Sequence, residues 1–310
     1  MQAIQPVSDE IGHLQRVAHP RLSFWIGIVL AILGLLLFVV VFNLFFPTLS
    51  DHLSAASLIG LGLLFSLVPA ALWLIFFYAL DNREPEPVQM VFDIFVVGML
   101  LTAALYEPVL QGIFQIDAWL YDHWWLHLLG GIVVVGFFEQ FLIYVTVRYG
   151  VFHRPMFDER MDGITYAVAA GLGFATVMNF MYVLVHGGVD LDIGAIRMVV
   201  NALAHASFAG VVGYFIGQSR FEKTPVYYLP FGLTVAAMLD GLFFFVLDQS
   251  NTVNLHYNPW TNLIFATVVA MITLFVVFLL VERANEETLR LAKQQSAQAA
   301  LAVGDGKEGV

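Results

Sequence analysis

The sequence of 310 residues contains no cysteine and few charged side chains. The absence of cysteine excludes disulfide bonds, thiolate catalysis and cysteine-based metal sites. Only 12% of the residues are charged, roughly half of the ~25% that is usual for a soluble domain. The basic residues are few and scattered, and the net charge is −11. The chain therefore lacks a phosphate-binding stripe, and we expect no nucleic-acid partner.

Long apolar runs occupy most of the chain instead. Hydrophobic residues make up 60% of the sequence, and about 20 consecutive apolar residues suffice to cross a bilayer. Because the alternation typical of a β-barrel is absent, helices are the expected spanning structure. The sequence predicts an all-α integral membrane protein, a bundle of about eight transmembrane helices surrounded by the lipid bilayer. The predicted spans cover residues 24–46, 55–80, 88–114, 125–147, 163–186, 195–217, 227–248 and 261–281.

Basic residues lie almost entirely on one side of these predicted spans. They precede the first span, follow the last, and occur in the second, fourth and sixth loops, whereas the other four loops contain none. The positive-inside rule therefore predicts cytoplasmic N- and C-termini, in a prokaryotic plasma (inner) membrane. Only Arg197 falls elsewhere, near the outer end of the sixth span. We expect a cytoplasmic segment at 1–23, a membrane domain at 24–282 and a cytoplasmic helical tail at 283–310.

Small residues recur four apart in the fifth and sixth predicted spans. The two stripes are Gly163, Ala167, Gly171, Ala175 and Asn179, and Asn201, His205, Ala209, Gly213 and Gly217. Residues four apart share one helix face, and small residues there let helix backbones approach closely in lipid. We therefore expect these two spans to form the tight centre of the bundle, with Asn179 and His205 on packed faces.

Several polar side chains are predicted to lie deep within the spans, where an ionised group costs at least ~2.5–3.5 kcal/mol to insert. Glu139 and Gln140 are adjacent in the fourth span, His205 is in the sixth and Asp240 is in the seventh. At a rise of 1.5 Å per residue, Glu139, His205 and Asp240 lie about 12, 18 and 20 Å from the inner ends of their spans. These depths overlap within the uncertainty of the span ends, so the three side chains can meet. Each also has an alternative interpretation as a hydrogen-bonded group of the packed core.

Two stretches on the predicted cytoplasmic side are typical of a known family. They are YALDNREPEP at 78–87 and MDGITYAVAAGLGFATVMNFMY at 161–182. Together with Glu139 in the preceding span, they resemble the PrsW family of membrane-embedded proteases, which is related to the prenyl-protein (CAAX-type) endopeptidases. The resemblance extends over residues 70–250, most of the predicted membrane domain. It implies peptide-bond hydrolysis by buried glutamates and histidines, with a divalent metal such as zinc as a candidate cofactor.

The resemblance assigns the candidate catalytic positions to Glu139, Gln140, Asn179, His205 and Asp240. Several of the family's charged groups are replaced in this chain. The pattern EExxK falls on residues 139–143, so that its second glutamate is Gln140 and its lysine is Ile143. The glutamate of GLGFAxxEN falls on Met178, and the final histidine falls on Asp240. Glu139, His205 and Asp240 remain able to bind a metal, whereas an amide at position 140 cannot accept a proton at neutral pH.

Three functions are compatible with this pattern. The replaced positions favour an inactive homologue, a pseudoprotease that binds membrane-anchored polypeptides through a retained cavity. The first alternative is an active endopeptidase that cleaves a membrane-anchored protein, with Glu139, His205 and Asp240 binding a metal or activating water. The second alternative is a transporter or proton pathway, although the two halves show none of the matching pattern expected of inverted repeats.

The turn at 81–87 is acidic and contains Pro85 and Pro87, which cannot continue a helix. One interpretation is a rigid turn between two spans. The other is an acidic lip, in which Glu84 and Glu86 select substrates or partners by charge.

Overall fold

The computed structural model describes residues 54–80, 86–185, 193–248 and 259–305, together with isolated positions between 26 and 41. Within these ranges the protein is helical and contains no strand. The α-helices are α1 (Ala55–Leu80), α2 (Val88–Glu107), α3 (Trp124–Gly130), α4 (Phe137–Gly150), α5 (Arg160–Val185), α6 (Ile193–Phe221), α7 (Tyr228–Asp248) and α8 (Pro259–Asp305). Two π-helical segments follow α2 and α3, at Pro108–Ile113 and Gly131–Gly136, and Ile116–Ala118 forms a 3₁₀ turn.

Seven helical spans in the described part of the chain are long and apolar enough to cross a membrane. They confirm the all-α membrane architecture and correspond to the second through eighth predicted spans. Helices α3 and α4 form one of them, joined through their π-helical segment. The predicted span at 24–46 and the segment at 1–23 lie outside the described residues, apart from the isolated positions. Helix α8 continues beyond its apolar part to Asp305.

Helices α5 and α6 form the centre of the bundle, as their stripes of small residues predict. A Cβ atom on Gly217 would lie 2.2 Å from the carbonyl oxygen of Arg160, and one on Gly213 would lie 2.3 Å from that of Gly163. The backbones of two helices can approach this closely only where glycine leaves no side chain between them. Helices α1 and α2 pack against α5, helix α8 packs against α6, and α7 packs against α6 and the rod formed by α3 and α4.

Proline and glycine set the irregular points of the helices. Helix α2 begins directly after Pro87, whose carbonyl accepts hydrogen bonds from the backbone N–H groups of the first turn. The first π-helical segment begins at Pro108, which lacks an amide hydrogen. The second has a glycine at each end, and it changes the helical register immediately before Glu139.

The two stretches that carry the family resemblance contact each other. We call the end of the bundle at which α2, α5 and α7 begin the inner end, and the opposite end the outer end. At the inner end, the buried carboxylate of Glu86 accepts a hydrogen bond from the hydroxyl of Tyr166. Its carbonyl accepts one from Tyr78 at 2.8 Å. Because Glu86 is buried, it cannot belong to an exposed acidic lip, and this interpretation of the turn at 81–87 is wrong for Glu86. Glu84 lies outside the described ranges.

A buried arginine joins three helices at the same end. Arg160 donates hydrogen bonds of 3.0 Å to Gln218 and to Glu222, both near the end of α6. Its Nε atom lies 3.7 Å from Oε2 of Glu287 on α8. Gln218 also donates a hydrogen bond to Glu287. The extension of α8 is therefore held against the ends of α5 and α6 by polar contacts.

Candidate metal centre and cavity

Three ionisable side chains from three helices converge in the middle of the bundle. Glu139 of α4, His205 of α6 and Asp240 of α7 each offer a ligand atom, and these atoms lie within 4.8 Å of one another. The Nδ1 atom of His205 lies 3.8 Å from Oε2 of Glu139 and 3.8 Å from Oδ1 of Asp240. All three residues are at most 5% exposed. The prediction that these residues can meet is therefore confirmed.

Close backbone contact brings the helices that carry the two carboxylates together. A Cβ atom on Gly241 would lie 2.4 Å from the Cα of Ile132, and one on Gly136 would lie 2.6 Å from a carbonyl oxygen of α7. Helix α7 can therefore lie directly on the π-helical segment. This contact places Asp240 beside the turn of α4 that carries Glu139.

Amide side chains connect the helices around this centre. The Nε2 atom of Gln140, which is fully buried, donates a hydrogen bond of 2.7 Å to Oδ2 of Asp240. Asn179 donates to the carbonyl of Met198 at 3.0 Å and accepts a bond of 2.9 Å from Asn201. Gln140 thus orients Asp240, and Asn179 links α5 to α6 next to the turn that carries His205.

Aromatic rings hold the imidazole of His205 in place. The ring centroids of Phe174, Phe208 and Phe243 lie 5.0, 6.0 and 6.3 Å from that of His205. Phe174 belongs to the GLGFA stretch, so this motif forms a wall of the site. The buried Nδ1 atom of His205 makes no hydrogen bond to any described residue. Packing thus fixes an imidazole whose Nδ1 atom lies close to two carboxylates.

This donor set fits a divalent metal. Two ligands of a tetrahedral zinc stand about 3.4 Å apart, given bonds of about 2.0–2.2 Å. The observed separations of 3.8 Å are close to that value. One imidazole and two carboxylates leave a fourth position for water or substrate, which is the pattern of a catalytic zinc site. The Nδ1 atom without a hydrogen-bond partner supplies the lone pair that such a ligand needs.

A cavity of about 270 Å³ extends from these three residues towards the outer end of the bundle. Tyr106 and Met178 lie along it, and the side chains of Tyr106 and Glu139 are close enough to interact. Glu107, Val185 and Arg197 lie near its outer part. Tyr106 cannot be recognised as a site residue from the sequence, since a tyrosine in an apolar span carries no distinctive signal.

Comparison with known families identifies the family of this chain. A model described as PrsW family intramembrane metalloprotease matches residues 86–258, more than half of the chain. This chain belongs to the PrsW family. The matched segment contains all five candidate catalytic residues, so the resemblance drawn from the sequence is confirmed at the level of the family.

Several curated relatives are named Protease PrsW. The chain is 28% identical to the protein from Bacillus subtilis over 183 residues, which is 58% of this chain and 80% of the relative. It is 28% identical to the protein from Geobacillus kaustophilus over 196 residues, 62% of this chain and 80% of the relative. For the protein from Oceanobacillus iheyensis the identity is 26% over 235 residues, 74% of this chain and 99% of the relative. No solved structure matches the chain significantly.

Membership in the PrsW family identifies the chain as a homologue of membrane proteases. The description of the family as metalloproteases agrees with the donor set formed by Glu139, His205 and Asp240.

Proposed function

We propose that this protein is an active intramembrane endopeptidase that hydrolyses membrane-anchored polypeptides at the site formed by Glu139, His205 and Asp240. The observation that carries the proposal is the convergence of these three buried groups at one end of a cavity. A polypeptide substrate follows from the family, whose relatives are named proteases. A membrane-anchored substrate follows from the position of the cavity within a bundle of membrane-length helices.

We propose that Glu139, His205 and Asp240 hold a divalent metal such as zinc. When bound, such a metal supplies a Lewis acid and lowers the pKa of a coordinated water. Asp240 accepts the amide of Gln140 on Oδ2, so its other oxygen is oriented towards His205. The carboxylate of Glu139 has a second oxygen that can take the proton of an attacking water. The hydroxyl of Tyr106 can donate a hydrogen bond to an oxygen on which negative charge develops.

We further propose that the protein lies in the plasma membrane with both termini in the cytoplasm. The support is the one-sided distribution of Arg and Lys among the loops. In this orientation the inner end of the bundle faces the cytoplasm. The cavity then lies in the half of the bundle that faces away from the cytoplasm. There the cavity can receive segments of substrate from outside the cell.

A pseudoprotease is the second candidate function, favoured by the amide of Gln140 and by Met178 at the positions where the family has glutamates. Such a protein would bind a membrane-anchored polypeptide in the cavity without cleaving it. The protease names of the relatives and the convergence of three metal-binding groups favour activity instead. A transporter receives no support from either observation.

The test combines elemental analysis with a cleavage assay on detergent-purified protein. Wild type is compared with His205→Ala, with Glu139→Gln and with His123→Ala, which removes an exposed histidine outside the cavity. A proteome-derived peptide mixture, read by mass spectrometry, serves as substrate. We expect about one metal per chain and cleavage in wild type and His123→Ala, and loss of both in His205→Ala.

Glu139→Gln should also lose cleavage. Wild type that contains no metal and cleaves no peptide would contradict the proposal. If that protein still captured membrane-anchored polypeptides, the pseudoprotease would be the correct function.

A further inference from the structure

A second cavity, of about 410 Å³, lies at the inner end of the bundle, away from the candidate metal centre. It opens between the first turns of α2 and the segment that connects α4 to α5. None of the residues that line it lines the cavity of the metal centre. Its volume falls within the ~300–1,000 Å³ that is typical of small-molecule sites. The inner cavity therefore has the size of a ligand site that is separate from the catalytic one.

Two opposite charges line the inner cavity without pairing with each other. Asp93 of α2 and Arg154 of the α4–α5 connection are both exposed. Neither forms an ion pair with a residue in the described part of the chain. Arg154 donates its Nε–H to the carbonyl of Gly150 at 3.1 Å, which uses one of the five N–H donors of its guanidinium. A ligand that carries both an anion and a cation matches this arrangement.

The rest of the wall of the inner cavity is mainly apolar and reaches into the membrane. Val97 and Met156 contribute to it and are 38% and 44% exposed. The span that begins at Val88 contains 31 residues, whereas about 20 suffice to cross the hydrocarbon. The first turns of α2, with Asp93, can therefore lie at the level of the lipid headgroups. Val97 then lies about one helical turn deeper, next to the acyl chains.

We propose that the inner cavity binds the headgroup of a zwitterionic phospholipid that carries a phosphate and a primary ammonium group, such as phosphatidylethanolamine. The guanidinium of Arg154 binds the phosphate through paired N–H donors, and the carboxylate of Asp93 accepts hydrogen bonds from the ammonium group. The guanidinium of Arg220 donates to the carbonyl of Arg154 at 3.4 Å and adds positive charge on the phosphate side. The bound lipid joins the start of α2 to the end of α4, and its binding does not depend on the proposed protease function.

The carboxylate of Asp93 sets the class of headgroup. An anionic headgroup without an ammonium group brings its charge close to this carboxylate, and like charges placed together oppose binding. The quaternary ammonium of phosphatidylcholine has no N–H group to donate. A soluble phosphate ester lacks the acyl chains that contact Val97 and Met156, so it loses the burial of apolar surface. The primary ammonium lipid is thus the ligand that satisfies both charges and the apolar wall.

The test measures lipid binding to the delipidated full chain in detergent by native mass spectrometry. Phosphatidylethanolamine, phosphatidylcholine, phosphatidylglycerol and soluble phosphoethanolamine are each titrated against wild type, Arg154→Met and Asp93→Asn. Arg148→Met and Asp117→Asn are the matched controls, because they remove the same charges outside the inner cavity. The Tm of each variant without lipid verifies that it is folded.

We expect wild type and both controls to bind phosphatidylethanolamine about 10-fold more tightly than the other two phospholipids, the size of a lost charge-assisted hydrogen bond. Soluble phosphoethanolamine should bind far more weakly than the lipid. In Asp93→Asn the preference should disappear, so that phosphatidylethanolamine and phosphatidylglycerol bind equally. In Arg154→Met the affinity for all three phospholipids should fall about 10-fold, because each of them carries the phosphate.

Three outcomes overturn the inference. Equal affinity of wild type for the three phospholipids would mean ordinary contact with the bilayer and no headgroup site. A preference for phosphatidylethanolamine that survives in Asp93→Asn and Arg154→Met would place the headgroup elsewhere on the chain. Soluble phosphoethanolamine that binds as tightly as the lipid would make the ligand a soluble phosphate ester. All three leave the proposed protease function untouched, since that function is tested by metal content and peptide cleavage.

Discussion

The side-chain amide of Gln140 donates a hydrogen bond of 2.7 Å to Oδ2 of Asp240, and this bond joins α4 to α7 within the candidate metal centre. From the sequence alone, Gln140 indicates a lost catalytic glutamate. The structure gives the amide another role, because an N–H donor can hold a carboxylate that an ionised glutamate would repel. Gln140 and Asp240 therefore form a complementary pair, which is consistent with a site that still works.

Removal of this donor should weaken the metal centre. In Gln140→Leu, Asp240 loses its partner and can rotate away from His205, and partners of metal ligands typically contribute 10- to 100-fold to metal affinity or activity. We expect a loss of about that size in zinc affinity, measured by competition with a chromophoric chelator, and a parallel loss of peptide cleavage.

Thr146→Val is the matched control for this variant. It removes a buried hydroxyl on the same helix whose hydrogen bond, to the carbonyl of Leu142, stays within the helix. Its zinc affinity should equal that of wild type. Unchanged affinity in Gln140→Leu would show that Asp240 needs no orientation by Gln140.

The contact between α7 and the π-helical segment should be equally sensitive. In Gly241→Ala, the new Cβ atom meets the backbone of Ile132, which cannot yield as a flexible side chain would. Helix α7 must shift and carry Asp240 with it, so we expect at least a ~10-fold fall in zinc affinity and a cost of about 1–3 kcal/mol in stability. Gly112→Ala is the control, since a Cβ atom there meets nothing within 4 Å. Equal zinc affinity and equal stability in Gly241→Ala and Gly112→Ala would contradict this account.

Much of the fold can be predicted from the sequence, because hydropathy and span length are local properties. The second predicted span, 55–80, coincides with α1. The others that fall on described residues differ by at most four residues at their ends, except that the last continues to Leu291. The central position of α5 and α6 is also predictable, since small residues recur every four positions in both helices. The π-helical segment at Gly131–Gly136 cannot be predicted from the sequence, because it depends on how a neighbouring helix packs against it.

The residues that form the site can be predicted from the sequence, but the hydrogen bonds between them cannot. Depth along each helix suffices to bring Glu139, His205 and Asp240 together. The bond between Gln140 and Asp240 depends on side-chain direction across two helices one hundred residues apart, which no sequence pattern specifies.

The polar contacts at the inner end should hold the extension of α8 in place. Glu287 lies near Arg160 and accepts a 2.9 Å hydrogen bond from Arg283. In Glu287→Ala, the extension loses its bonds to the bundle, and bonds to a charged group contribute about 1.5–3 kcal/mol each. We expect trypsin to cleave after Arg290 at least ~10-fold faster than in wild type, as followed by gel electrophoresis.

Glu286→Ala, which changes an exposed neighbour, should be cleaved at the wild-type rate. Equal rates in both variants would show that apolar packing alone holds α8.

Metal binding should be visible as a change in thermal stability, independently of any substrate. A ligand that binds only the folded state adds about 2.7 kcal/mol at a concentration of 100 Kd. We therefore expect zinc to raise the Tm of chelator-treated wild type by several degrees, measured by intrinsic fluorescence in detergent. In Glu139→Gln and His205→Ala the increase should vanish, because each variant lacks one of the three ligands.

His123→Ala should retain the increase in Tm, since His123 is exposed and lies outside the cavity. An equal increase in all four proteins would place the zinc elsewhere on the chain and remove the metal from the proposed site. An increase lost only in the two site variants would assign the metal to Glu139 and His205 without reference to catalysis.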